Sequence, residues 1–285
     1  MPYVRIWGWS MSRSIALGQF YPARSPLHRL DPRIKVILAI IYIVASFLCK
    51  NIFSFALLLV SALLLVLISR IPLRIVLGSI KAIIFVMIFT AVLNIFWTKG
   101  SEESLLFSWK FISIYVDGLY NALFIVVRII CMIVGSCMFL TYTTTPIQLT
   151  DGLESLLSPL KKLKVPVHEF AMMMTIALRF IPTIIEETGK IMSAQKARGA
   201  DFSNGSLIKR AKALIPVLIP LFISAFRRAG ELATAMTCRC YRGGEGRTKL
   251  YALKLSWRDF VAVMIMAVFI AGIILINIFA PGYTM

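Results

Sequence analysis

The sequence predicts an all-α integral membrane protein with about five transmembrane helices and a cytoplasmic region of three further helices, two of them long. Hydrophobic residues make up 59% of the 285 residues, the mean hydropathy is +0.84, and charged residues fall to 15%. Soluble domains are roughly 45–50% apolar and about 25% charged, so this composition is typical of proteins in the bilayer. The net charge is +18, and most of the basic residues that produce it lie between the apolar runs. This pattern favours the lipid bilayer, and not nucleic acid, as the partner of the basic residues.

Five apolar runs approach or exceed the roughly 17–25 residues that a helix needs to cross a bilayer. They are Ile34–Cys49, Ile52–Ser69, Ile80–Trp97, Gly118–Tyr142 and Asp259–Ala280. The first run is slightly short, and we expect it to span only if Lys35 stretches its side chain towards the interface. Pro281 and Gly282 are expected to end the last helix.

The basic residues between these runs predict the orientation. The segment before Ile34 is rich in arginine and is expected to be cytoplasmic, whereas the segment 99–117 is net acidic and is expected outside. Residues 143–257 are strongly basic and are therefore placed in the cytoplasm, which leaves the C-terminus outside. The chain then divides into an N-terminal arm with four transmembrane helices (1–142), a cytoplasmic coupling region (143–257) and a final transmembrane helix (258–285).

The coupling region contains two apolar stretches, Phe170–Ile185 and Ala213–Phe226, that could be taken for further spans. If they crossed the membrane, the basic segment between them would lie outside, which the charge rule disfavours. Apolar runs of about 10–14 residues are more often buried or interfacial helices. We therefore predict three cytoplasmic helices, the first capped by Thr145 and the second ended by Gly199. Their expected ranges are Pro146–Leu163, Val167–Arg198 and Ser206–Tyr241, with Gly243 and Gly244 ending the third and Pro182, Pro216 and Pro220 bending the two long ones.

Both long helices are predicted to end on an arginine between small residues. The two triplets are Ala197-Arg198-Gly199 and Cys238-Arg239-Cys240. The helix dipole favours an arginine at a C-terminus by about 0.3–1 kcal/mol, so one such end would need no further explanation. Two similar ends on paired helices favour two similar receptors, such as a pair of related subunits.

These triplets and three other motifs together resemble the T component of energy-coupling factor transporters. The other motifs are His28-Arg29-Leu30-Asp31-Pro32-Arg33, Leu178-Arg179-Phe180-Ile181-Pro182 and the string Tyr241-Arg242-Gly243-Gly244-Glu245-Gly246-Arg247-Thr248-Lys249. The motifs occur in the family's order over nearly the whole chain. The resemblance implies a non-catalytic membrane subunit that joins two cytoplasmic ABC-type ATPases to a small membrane S component, which binds a vitamin for uptake.

The resemblance also implies roles for the two triplets. Arg198 and Arg239 would contact the ATPases, and their small neighbours Ala197, Gly199, Cys238 and Cys240 would permit close approach. ATP and Mg²⁺ would be bound by the ATPase subunits, so no cofactor is expected in this chain. The second triplet departs from the Ala-Arg-Gly that is commoner in the family, but cysteine is small and weakly polar, and we expect the geometry to survive.

Two other classes of function remain as alternatives. A membrane-embedded enzyme acting on lipid phosphate would need clustered carboxylates or histidines, but the available acids are scattered, His28 and His168 are isolated, and the glycine-rich string lacks the spacing of a phosphate-binding loop. A self-contained secondary transporter would need polar residues at the midplane, where only Arg128 qualifies. We expect Arg128 to face the helix bundle and to bind carbonyls or hydroxyls, not substrate.

Overall fold

The computed structural model describes residues 20–23, 25–97, 105–109, 112–202, 206–243 and 253–279. Its helices are α1 (Pro32–Leu48), α2 (Ile52–Ser69), α3 (Leu73–Trp97), α4 (Val116–Ser136), α5 (Pro146–Leu156), α6 (Val167–Ala197), α7 (Leu207–Cys238) and α8 (Trp257–Phe279). Two strands, β1 (Leu105–Trp109) and β2 (Ile112–Tyr115), form an antiparallel hairpin before α4. The chain divides into a first unit, Met1–Ser155 with Leu253–Met285, and a second unit, Leu156–Ala252. The all-α membrane class is confirmed.

The core of the first unit lies where α1 packs against α4 and α8. Tyr42 of α1 is 1% exposed, and its ring stacks on Phe269 with the ring centres 6.0 Å apart. Gly135 of α4 makes room for this ring, because a Cβ atom at that position would overlap it. The outward faces are apolar, as expected of helices that contact lipid, and large side chains such as Leu67 and Phe85 are well exposed there.

The helices of the first unit match the predicted spans with three differences. α2 has the predicted bounds, whereas α3 begins at Leu73, two turns before the predicted Ile80, and is bent by 56° after Lys81. α4 gives way at its C-terminal end to a π-helix, Cys137–Thr141. The predicted outer loop 99–117 contains the β hairpin, whose short runs of aromatic and β-branched residues are the sequence signal that was overlooked. The predicted stop at Pro281 and Gly282 lies outside the described residues.

Length and composition alone do not separate α6 and α7 from the spans. Among the described residues, α6 and α7 are both long and apolar enough to cross a membrane, as are α2, α4 extended by the π-helix, and α8. The most apolar windows of α6 and α7 have a mean hydropathy of 1.2 and 1.5, against 2.8, 2.6 and 2.9 for the other three. The cytoplasmic placement of α6 and α7 therefore stays a prediction that rests on charge.

The first predicted cytoplasmic helix is broken in two. α5 ends at Leu156 and a 3-10 helix, Ser158–Leu163, follows it, so the single helix Pro146–Leu163 was wrong. The physical reason is Pro159, which has no amide hydrogen for the helical ladder and disfavours helical backbone at the residue before it. The predicted cap is confirmed as a capping box: the Gln148 amide donates to Thr145 Oγ1 at 3.3 Å, and the Thr145 amide donates to Gln148 Oε1 at 3.2 Å.

The two long helices of the second unit begin where the sequence placed them. α6 starts at Val167, and α7 follows Ser206, whose hydroxyl accepts the Lys209 amide at 3.4 Å. α7 ends at Cys238, earlier than the predicted Tyr241 and before the predicted stop at Gly243 and Gly244. The predicted prolines lie inside α6 and α7.

Candidate functional site

The first candidate site is the C-terminal end of α6. Arg198 is the last residue with near-helical backbone, and Gly199 follows it in the left-handed region at φ +88°. The Gly199 amide donates to the Lys196 carbonyl at 2.9 Å, and the Ala200 amide donates to the Gln195 carbonyl at 3.0 Å. These two bonds form a Schellman motif, which satisfies the carbonyls that the helix leaves open at its end. The predicted stop at Gly199 is confirmed.

The end of α7 repeats this arrangement bond for bond. Arg239 takes the place of Arg198, and Cys240 takes the left-handed position of Gly199 at φ +57°. The Cys240 amide donates to the Thr237 carbonyl at 2.9 Å, and the Tyr241 amide donates to the Met236 carbonyl at 3.0 Å. A side chain in this conformation is strained, but the cysteine adopts it, and this is why α7 ends earlier than the glycines predicted.

All six residues of the two triplets are exposed. The cap hydrogen bonds use backbone atoms only, including the amides of Arg198 and Arg239 themselves. Within the described part of the chain, neither guanidinium has a hydrogen-bond or ion-pair partner. A guanidinium presents five donors in a planar fork that fits a carboxylate or a set of carbonyl oxygens. The two helix ends are therefore suited to receive an acidic or carbonyl-lined surface from another molecule.

α6 and α7 pack against each other near an ion pair. Arg228 Nη2 donates to Glu187 Oε2 at 2.7 Å, and these side chains are 34% and 25% exposed. Glu187 lies eleven residues before Arg198, and Arg228 lies eleven residues before Arg239. At 1.5 Å per residue, each arginine is thus about 16 Å along its own helix from the same contact. The two helix ends therefore have the same backbone geometry, and they extend equally far beyond the ion pair.

An apolar groove of about 440 Å³ runs along this packing contact. α6 lines it with Ile176, Phe180 and Ile184, and α7 lines most of the rest with aliphatic residues, alanines and Phe222. Elsewhere on the same two helices, Phe226 of α7 and Phe170 of α6 are 73% and 64% exposed. Exposed apolar surface of this kind marks a contact with a protein partner or with lipid.

Arg128, the one charged residue predicted near mid-span, faces the bundle as expected. Its Nη2 donates to the carbonyl of Cys49 at 3.0 Å, and its guanidinium carbon lies 5.1 Å from the centre of the Phe55 ring. Cys49 is fully buried. The arginine is thus held by a carbonyl and an aromatic face, which offsets part of the cost of placing a cation there.

Sequence reasoning overlooked the charged residues at the start of α1. Lys35 is 1% exposed, and its ammonium donates to the Thr143 carbonyl at 2.7 Å and to the His28 carbonyl at 3.2 Å. The predicted stretching of Lys35 towards the interface was therefore wrong. Asp31 and Asp259 are also buried, at 6% and 3% exposure. The only local signal for this cluster was the occurrence of charged residues at the ends of two apolar runs.

Comparison with known proteins places this chain in a family. The family model CbiQ, described as cobalt transport protein, matches residues 23–250. A relative from Clostridium kluyveri is 51% identical over 252 residues, which are 88% of this chain and 93% of the relative. Relatives from Ruminiclostridium cellulolyticum and Bacillus subtilis are 50% identical over 267 residues (94% of this chain, 98% of the relative) and 45% identical over 261 residues (92% and 97%).

Each of these three relatives is named energy-coupling factor transporter transmembrane protein EcfT. The matches cover nearly all of both chains, so they concern the whole protein and not one segment. The resemblance first based on the two arginine triplets and their companion motifs is thereby confirmed at the level of the family. This chain belongs to the CbiQ/EcfT family, the multi-pass transmembrane components of energy-coupling factor transporters.

Proposed function

We propose that this chain transmits the ATP-driven motion of two ABC-type ATPase subunits to a small membrane S component that binds a vitamin for uptake. In this role α6 and α7 each present an arginine to one ATPase. The chain holds no nucleotide itself, and the ATPases bind ATP and Mg²⁺. The subunit is then non-catalytic, and the choice of vitamin belongs to the S component.

The observation that carries the proposal is the duplicated helix end. Arg198 and Arg239 occupy the same position of the same backbone motif, and both are exposed. Both also lie eleven residues beyond the contact between Glu187 and Arg228. Two related ATPase subunits would each bind the same feature, an arginine between two small residues. They would therefore require two equal helix ends.

The apolar groove between α6 and α7 supports the second half of the proposal. A surface in water rarely leaves a continuous apolar groove uncovered, and its lining residues Phe222 and Ile184 are 61% and 42% exposed. An S component embedded in the membrane would offer apolar helices that could cover this surface. The groove is therefore our candidate contact for that subunit.

The test is assembly and hydrolysis with the ATPases in Arg198→Ala, Arg239→Ala and the double variant. Removing one partner of a buried charged contact commonly costs about 2–5 kcal/mol, so each single change should weaken ATPase association at least about thirtyfold. Lysine keeps the charge but loses the planar fork, so Arg198→Lys and Arg239→Lys should be damaging as well. Arg242→Ala, an exposed arginine just beyond the cap, is the matched control.

The complex should purify from membranes with two ATPase chains and a small membrane protein. A membrane-embedded enzyme or a self-contained transporter would purify without them. Wild-type ATPase binding and vitamin uptake in the double alanine variant would rule out these arginines as the coupling contacts.

The proposed orientation places α6 and α7 in the cytoplasm, with the N-terminus inside and the C-terminus outside. Cys238 and Cys240 are exposed, and Cys49 and Cys131 are buried, so the native thiols already provide a probe. An impermeant thiol reagent applied to intact cells should label a Lys50→Cys variant and leave Cys238 and Cys240 unmodified. Labelling of the native pair from outside would refute the cytoplasmic placement.

A further inference from the structure

The chain passes between the two units twice, after Ser155 and before Leu253. The segments of the first unit beside both passages are held on the first turn of α1. This turn and its cap comprise Asp31, Pro32, Arg33 and Lys35, which we call the α1 anchor. Part of it belongs to the His28-to-Arg33 motif, to which the proposed function assigns no role.

The outgoing segment, from Thr143 through α5, contacts the α1 anchor at two points. Lys35 Nζ donates to the Thr143 carbonyl at 2.7 Å, and both residues are 1% exposed. Nine residues later, a Cβ atom at Gly152 would lie 3.1 Å from Pro32 Cβ and 3.2 Å from the Pro32 carbonyl carbon. The backbone of α5 therefore lies directly against the start of α1, where a larger residue would not fit without displacement.

The returning segment is held through a single carboxylate. Asp259 lies in the first turn of α8 and is 3% exposed. Its Oδ2 accepts the Ser256 amide at 2.7 Å, which caps α8, and its Oδ1 accepts the Asp31 amide at 2.8 Å. Asp31 in turn caps α1, because its Oδ1 accepts the Arg33 amide at 2.9 Å. One aspartate thus fixes the start of α8 to the start of α1.

Stability alone does not account for these buried charges. Removing an ammonium and a carboxylate from water is costly, and apolar side chains of similar volume often hold helices together as well or better. Directional hydrogen bonds differ from apolar contacts because they fix the position of each segment to a defined partner atom. Both carboxylates also lie close enough to Lys35 to attract its ammonium.

We infer that Lys35 and Asp259 are positioning residues for energy coupling. They fix to α1 the two segments of the first unit through which the chain leaves and re-enters the second unit. Movement of the second unit then displaces α1 and α8, whereas flexible connecting segments would absorb it. This role rests on the proposed function, in which ATPases move α6 and α7. It assigns the transmission step to the first turn of α1, at a distance in sequence from both coupling arginines.

The experiment compares amide hydrogen exchange in the complete transporter with and without ADP and vanadate, which trap the ATPases. In the unaltered complex, trapping should change exchange in α6 and α7 and also in α1 and α8. Lys35→Met and Asp259→Ala should keep the response of α6 and α7 but reduce that of α1 and α8 about threefold or more. Asp259→Asn keeps one acceptor oxygen and should fall between Asp259→Ala and the unaltered chain. Lys50→Met, which replaces an exposed lysine beyond the other end of α1, is the matched control.

The outcomes separate the two ideas. An unchanged response of α1 and α8 in the variants would overturn the positioning role while leaving the proposed function intact. An unaltered complex in which α1 and α8 do not respond at all would also overturn it. If α6 and α7 themselves fail to respond to trapping, the proposed function fails, and the positioning role fails with it. Should Lys35→Met not assemble, the graded pair Asp259→Asn and Asp259→Ala still decides the matter.

Discussion

Glu187 of α6 and Arg228 of α7 form an ion pair of 2.7 Å, and Arg228 Nε also lies 3.4 Å from the hydroxyl of Ser224. The pair lies at the edge of the apolar groove between the two helices, which both side chains help to line. Since each partner precedes the terminal arginine of its helix by the same number of residues, the pair fixes the register of the two helices at the point from which both ends extend.

Exchanging the two charges should therefore restore most of the thermal stability that each single charge reversal removes. Glu187→Arg and Arg228→Glu should each lower the unfolding temperature, and the double swap should recover most of the loss. The side chains are about a quarter to a third exposed, so we expect a coupling free energy of about 0.2–1 kcal/mol. A double-mutant cycle by thermal unfolding in detergent measures it. Strictly additive changes would show that the two charges do not interact.

Replacing the left-handed residue at the end of α7 by glycine should stabilise the protein. Cys240 has φ +57°, where a side chain is unfavourable, whereas Gly199 holds the equivalent position of α6. Cys240→Gly should stabilise the protein by about 1 kcal/mol, and Gly199→Ala should destabilise it by a similar amount. Denaturant unfolding of the two variants provides the measurement. Destabilisation by Cys240→Gly would mean that the thiol makes a contact worth more than the strain.

Two glycines inside helices should respond in opposite ways to alanine. A Cβ atom at Gly135 would overlap the Tyr42 ring, whereas a Cβ atom at Gly189 of α6 would meet nothing within 4 Å. Gly135→Ala should destabilise the first unit by about 1–3 kcal/mol through overpacking. Gly189→Ala should stabilise α6 by about 0.5–1 kcal/mol, because alanine loses less backbone entropy. Melting temperatures that move in the same direction for both variants would contradict this.

Arg128 should contribute to the stability of the bundle. Arg128→Leu leaves the buried Cys49 carbonyl without its donor, so we expect a loss of about 1–3 kcal/mol. Arg74→Leu removes an exposed arginine of α3 and should be close to neutral. Thermal unfolding of the two variants tests the difference. If Arg128→Leu left both stability and assembly unchanged, its role within the bundle would be wrong.

His28 should make stability depend on pH. Its Nε2 donates to the Tyr21 carbonyl at 2.9 Å, so in the neutral ring Nδ1 accepts from the Ser25 hydroxyl at 2.7 Å. Burial lowers the pKa of His28 below its usual 6.5 and nearby Lys35 lowers it further, while the Tyr21 carbonyl partly opposes both. Because the unfolded chain binds the proton more readily, the contribution is complete above pH 6.5 and is lost as the pH falls through the lower, folded pKa.

The melting temperature should accordingly fall between pH 7 and pH 5.5, and His28→Asn should flatten this part of the profile. His168→Asn, which replaces the other histidine of the chain, serves as the comparison. An unchanged slope in His28→Asn would assign the pH dependence to another group.

Much of the fold could be predicted because it depends on contiguous residues. The bounds of α2 follow from an unbroken apolar run, the start of α5 follows from Thr145 directly before Pro146, and the end of α6 follows from Gly199. Pro159 carried the signal for the break after α5, and that signal was missed. The end of α7 was misplaced because a cysteine holds a conformation that glycine adopts more easily.

The sequence by itself determined the class of the protein, the order of its apolar helices, and the duplicated arginine ends that led to its family. Only the tertiary structure decided which charged residues are buried and what holds them. Asp259 and the Asp31 amide it binds are 228 residues apart, and Lys35 is 108 residues from the carbonyl it binds. Helix length and caps are set by neighbours in the chain, but the cost of a charge is set by solvent and by whichever distant groups surround it, and no local pattern records these.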